Sequence, residues 1–206
     1  MTSTAALPEP RAEADLAALI GSRICHDLIS PLGAIGNGLE LLAMAGAVSG
    51  PEMELIAESV ANANARVRFF RIAFGASDAG QMVRRGEILS VLADMARGGR
   101  VACAWDIAGD APRARVKAAF LALLCLETAL PHGGRVVVSA SGDDWHAVGR
   151  GPRIAVDAPL WSTLAGGAGA DISPARVQFA LLPAEIAAQG RRIAWRESGD
   201  SVEMTF

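Results

Sequence analysis

Apolar residues recur at Leu16, Ile20, Ile24, Leu28, Leu32, Ile35, Leu39 and Leu42. The steps are three and four, the period of an α-helix. From about Ala12 to Ala45 the only proline is Pro31. The pattern predicts one helix of roughly 34 residues, about 50 Å long at 1.5 Å per residue. A helix that long outreaches a small globular core. A second pattern opens at Ser49-Gly50-Pro51-Glu52. Ser49 and Glu52 have capping-box spacing, and Pro51 suits a first turn. Met53, Ile56, Val60, Ala63, Val67, Phe70 and Phe74 follow in alternating steps of three and four, a heptad seam. Two antiparallel helices with one apolar stripe each cannot bury themselves fully. A homodimer closing a four-helix bundle is the economical solution.

Beyond Gly75-Ala76-Ser77-Asp78-Ala79-Gly80 the pattern changes. It predicts a helix near Glu87–Ala96, a strand near Val101–Ile107 and a helix over Pro112–Leu130. A turn at Pro131-His132-Gly133-Gly134 and a strand over Arg135–Ala140 follow, with a second strand around Arg153–Val156. Short helices are expected near Pro159–Leu164 and Pro174–Gln189. Two last strands, Arg191–Arg196 and Ser201–Phe206, form a hairpin across Ser198-Gly199-Asp200. The expected organisation is a disordered tail over 1–10, a helical hairpin over 11–78 and an α/β sandwich over 82–206. The fold class is α+β.

Composition narrows the setting. Half of the 206 residues are hydrophobic (51%) and 20% are charged, so a sizeable core is expected. A net charge of -3 argues against a nucleic-acid binder. Lys117 is the only lysine, so a basic patch would be arginine. Cys25, Cys103 and Cys125 are too scattered for a disulfide framework or a zinc site. They read as reduced thiols. Met1-Thr2-Ser3-Thr4 lacks the basic-then-apolar order of a signal peptide. The longest apolar run, Val116 to Leu130, carries Lys117 and Glu127 and is too short for a bilayer. The expectation is a cytoplasmic protein without a membrane segment.

The candidate chemistry sits in the first helix, at Cys25-His26-Asp27-Leu28-Ile29-Ser30-Pro31-Leu32. Each helical residue turns about 100°. His26 therefore points roughly opposite the apolar stripe, among Ser22, Arg23, Ile29, Ser30, Gly33 and Asn37. These residues, mostly small or polar, form a candidate docking surface for a partner. A partly unprotonated imidazole is a competent nucleophile toward phosphorus. Asp27 either orients a ring or takes a proton, or is a solvated surface charge. Pro31 removes one backbone hydrogen bond just beyond His26. Cys25 and His26 diverge on a helix and have no orienting third group, so they do not read as a nucleophile pair.

The His-Asp-Leu-Ile-Ser-Pro-Leu string resembles the phospho-acceptor box of sensor histidine kinases. Phe120 to Gly134 resembles the helix and Pro-x-Gly-Gly turn of that family's ATP-binding domain. The family's two asparagine positions read Leu121 and Cys125 here, and a thiol is a poor magnesium ligand. Its Asp-x-Gly-x-Gly motif is approached only by Gly149-Arg150-Gly151-Pro152-Arg153, without the aspartate. Gly166-Gly167-Ala168-Gly169 reads as a flexible connection rather than a phosphate loop, and His132 and His146 read as structural or solvent-facing. The combination, with Gly33 to Leu42 after the box, resembles the ChpT-type histidine phosphotransferases. That resemblance implies a dimer with a degenerate histidine-kinase-ATPase-like domain. It also implies a relay through His26. The donor would be the receiver aspartate of a CckA-like hybrid histidine kinase, and the acceptors CtrA-like and CpdR-like response regulators. Mg2+ would come from the receiver, with no intrinsic cofactor or metal. An active soluble histidine kinase and a non-catalytic dimeric adaptor or kinase inhibitor remain as alternatives.

Overall fold

Residues 10–45, 50–77, 80–167 and 171–206 are described in a computed structural model. Of the tail expected at 1–10, residues 1–9 lie outside them, and Pro10 is instead the first residue of α1. Helix α1 (Pro10–Ala45) runs through Pro31, which is buried. Helix α2 (Pro51–Ala73) packs back along it. Gly50 precedes α2 and no side chain caps it. Ser49 of the expected capping box lies outside the described residues. Gly38 is where the two helices close in. A Cβ there would meet Ile56 Cγ1 at 2.4 Å.

Each predicted stripe splits into an inner and an outer row. Ile24, Leu28, Ile35 and Leu42 are half-buried, while Leu32 and Leu39 are 57% and 56% exposed. On α2, Ile56, Ala63 and Phe70 turn inward. Met53, Val60 and Val67 stay 40–49% exposed. Leu16 and Ile20 have side chains outside the described residues. Among the described residues, each helix thus leaves an outer row of apolar side chains uncovered.

The end of α2 enters the main core. Phe69, Phe70, Ile72 and Ala73 are buried there, and the Phe69 ring lies 4.7 Å from that of Phe120. Helix α3 (Arg85–Gly98) leads to strand β2 (Val101–Asp106), and α4 (Arg113–Ala129) to β4 (Gly134–Ser141). Helix α4 is the parallel crossover between β2 and β4. It is buried almost all round, as expected of a helix without a polar face. A short pair, β1 (Met82–Val83) with β3 (Ala111–Pro112), precedes it. Two-residue strands leave no periodic signal in a sequence.

Strand β5 occupies Asp144–Arg150, not the expected 153–156. Its inward residues are Trp145, Ala147 and Gly149. Two of these are small, which hides the alternation. Gly149 lies under Leu126 and Leu130, with a Cβ there at 3.4 Å from each. Helix α5 (Ala158–Ser162) and a 3-10 turn (Thr163–Ala165) follow. The expected helix over 174–189 is a 3-10 turn (Pro174–Arg176) and then α6 (Gln178–Ala188). The closing hairpin is β6 (Ala194–Ser198) and β7 (Ser201–Thr205), turning at Gly199 with φ 56°. The five-stranded sheet runs β2-β4-β5-β7-β6, and only β2 and β4 are parallel. The class is mixed α+β. Gly133 shapes the turn after α4. Its φ is 80°, and a Cβ would strike the Arg100 carbonyl at 2.5 Å.

Candidate functional site

Position 26 lies in the middle of α1. The helical period continues its row at +4, +7 and +11, at Ser30, Gly33 and Asn37. All three are exposed. No atom comes within 4 Å of a Cβ built at Gly33. The row is therefore polar, shallow and open. The side chains of Ser22, Arg23, His26 and Ile29 lie outside the described residues, and their backbones belong to α1.

Asp27 lies about 100° round the helix from position 26. Its side chain is only 8% exposed, and its Oδ2 lies 3.7 Å from Nη1 of Arg66 on α2. It is a buried, paired group rather than the solvated surface charge that was one of its two expected roles. Pro31 has no N–H to give to the Asp27 carbonyl four residues back. Ile24 packs against the main core, and the turn Pro174–Arg176 lies against α1. The second half of the chain thus reaches the helix that bears the box.

Arg66 was not anticipated. A trace of it existed, because no lysine or arginine occurs between Arg23 and Arg66. Arg66 also lines a small cleft with Asn62 and Phe69 of α2 and with Asp94, Cys103 and Glu127 across from it. Burial, with the nearby Glu127 charge, pushes the Cys103 thiol up to about 12. That thiol is protonated at neutral pH and not a nucleophile.

Leu121 and Cys125 lie fully inside the core. Helix α6 packs across α4 beside them. Lys117 pairs with Glu185 at 2.8 Å, and Gln178 Nε2 donates to the Leu124 carbonyl at 3.4 Å. Burial raises the Cys125 thiol well above its ordinary range. The Trp161 ring, also fully buried, lies 5.6 Å from Phe179 and 5.2 Å from Trp195. The Gly149–Arg153 stretch is structural. A Cβ at Gly151 would meet the Gly133 carbonyl at 2.7 Å, and its N–H donates to Asp200. Gly166 closes a 3-10 turn in the left-handed region, and 168–170 lie outside the described residues. His132 is exposed, and His146 Nδ1 meets Thr205 Oγ1 at 3.3 Å. Among the described residues no cluster of three His, Cys, Asp or Glu could hold a metal ion. No described helix is long and apolar enough to cross a membrane.

Residues 85–201 match the model of a family described as the histidine phosphotransferase C-terminal domain. The chain is 43% identical over 140 residues to the protein phosphotransferase ChpT of Brucella abortus (strain 2308). That match covers 67% of this chain and 66% of the relative, just under two thirds of its length. A solved structure described as a bacterial phosphotransferase is 32% identical, with a TM-score of 0.79. It covers 97% of this chain and 99% of that one.

Proposed function

Because the chain belongs to the histidine phosphotransferase family, we propose that it relays phosphoryl groups between receiver domains through His26. The observation that carries this reading is the open row of Ser30, Gly33 and Asn37 continuing from position 26. A partner domain can approach Ser30, Gly33 and Asn37, which are exposed. The donor is the aspartyl phosphate of a hybrid histidine kinase receiver, of the CckA type. The imidazole nitrogen attacks phosphorus in line. A P–N bond forms as the P–O bond to the receiver aspartate breaks, and the carboxylate leaves. Transfer onward to CtrA-like and CpdR-like response regulators runs the same step in reverse. The receiver supplies Mg2+. This chain supplies position and a desolvated surface.

The working unit is a homodimer. The outer rows Leu32–Leu39 and Met53–Val60–Val67 support it, because exposed apolar rows at heptad spacing ask for a second pair of helices. The second half reads as a degenerate histidine-kinase-ATPase-like sandwich that does not use ATP. Leu121 and Cys125 stand where that family places asparagines, and both are fully buried in the core. A nucleotide would have to displace packed aliphatic side chains to reach them. A cytoplasmic site of action goes with such a relay.

The test is transfer of radiolabel from a phosphorylated hybrid-kinase receiver to this protein, with His26→Ala and an ATP-only control beside it. Acid-labile, alkali-stable label on the wild type and none on His26→Ala is the expected result. Label from ATP and Mg2+ alone would make the protein a kinase. An unchanged partner response with His26→Ala would make it an adaptor or inhibitor.

A further inference from the structure

The end of α2 is the stiff part of the hairpin. Phe69 and Phe70 are buried in the main core, and Arg68 reaches Asp94 and Ser90 on α3. Arg66 stands one turn before Phe70, so its backbone is tied to the frame of the second half. Its guanidinium reaches across to the buried Asp27 on α1. Asp27 follows His26 directly, about 100° further round the helix. Rotating α1 enough to aim position 26 elsewhere would pull Asp27 away from Arg66.

We infer that Arg66 is a positioning residue for phosphotransfer, acting on His26 through Asp27. The inference rests on the proposed relay at His26. Arg66 fixes the rotation of α1 at the acceptor, which in-line attack requires. It also holds the Asp27 carboxylate turned inward, away from the row where a phosphoryl dianion arrives. Arg66 is itself 38% exposed and its Nη1 stands 3.7 Å from the carboxylate, beyond hydrogen-bond reach, so water can take its place and the pair adds little to stability. Its loss should therefore appear in the rate and not in folding.

The experiment measures single-turnover transfer from a receiver charged with acetyl phosphate, over a range of receiver concentrations. The proteins are wild type, Arg66→Gln, Arg66→Lys, Asp27→Asn, the double variant Asp27→Asn with Arg66→Gln, and His26→Ala. Arg66→Gln should lower the maximal rate about tenfold, a modest misplacement penalty. Its half-saturating receiver concentration and thermal midpoint should stay near wild type. Arg66→Lys should recover most of the rate. The double variant should be no slower than the slower single variant, because the Asp27–Arg66 pair is already lost in each. Wild-type rates in Arg66→Gln would overturn the inference. So would multiplied effects in the double variant, or a rate loss that only follows a loss of folded protein. Label on His26→Ala would instead overturn the relay itself, whatever Arg66 does.

Discussion

Restoring the kinase asparagines should harm this protein and not convert it. Leu121 and Cys125 are both 0% exposed, one turn apart on a helix buried almost all round. Leu121→Asn gives up about 2 kcal/mol of apolar burial. It also leaves an amide without partners in the core, at about 1–3 kcal/mol. The sum is about 4 kcal/mol, a large share of the roughly 5–15 kcal/mol of a typical domain. Cys125→Asn forces a larger polar group into a filled site and should cost about 2–3 kcal/mol. Cys125→Ala, the control, should stay near 1 kcal/mol. Urea unfolding followed by tryptophan fluorescence reads these values, since Trp161 is fully buried in the same core. Calorimetric titration with Mg-ATP should show no binding to any of the three. A loss below about 1 kcal/mol for Leu121→Asn, or ATP binding by either asparagine variant, would refute the reasoning. The packing of α4 would then not be what closes the site.

Three further outcomes follow from particular contacts. Gly38→Val places carbon within 2.4 Å of Ile56 and should lower stability by about 1–3 kcal/mol, while Gly33→Ala, in open space, should raise it by up to about 1 kcal/mol; thermal denaturation separates them. If the proposed dimer forms through the outer rows, wild type should sediment as a dimer and Leu32→Glu combined with Val60→Glu as a monomer, with little change in the fold of the second half; a variant that stays dimeric would locate the interface elsewhere. Cys103 ionises near 9 when unfolded and at about 12 when folded, so above pH 9 the unfolded chain sheds a proton the folded one keeps. Stability is full below pH 9 and falls as pH rises from 9 toward 12, by up to about 1.4 kcal/mol per unit, and the fall should be shallower in Cys103→Ala.

Much of the architecture was legible because it rests on periodicity. The hairpin, α4 and the closing strands carry clean helical or alternating patterns. Strand β5 was misplaced because Ala147 and Gly149 face inward, and small residues weaken an alternating signal. The short pair of β1 with β3 has no period at all. The exposure of Ser30, Gly33 and Asn37 could be read from steps of three and four along one helix. The role of Asp27 could not, because its partner Arg66 lies 39 positions away on another helix. A contact between elements depends on how they are docked, and a single sequence does not state that. The two outer rows show the same limit in reverse. The apolar stripes were visible, and only the packed hairpin shows which half of each is left over.

The core does not respect the boundary that the chain draws between hairpin and sandwich. Phe69 and Phe70 belong covalently to the hairpin and sit in the sandwich's interior, with Phe69 against Phe120. Mechanically this is a weld rather than a joint. An enzyme that charges its own histidine must carry its nucleotide there and back, and needs a hinge for the journey. A relay has nothing to carry, since both donor and acceptor come to it. In the proposed relay, a welded base would hold the helix that carries position 26 still while partner domains dock.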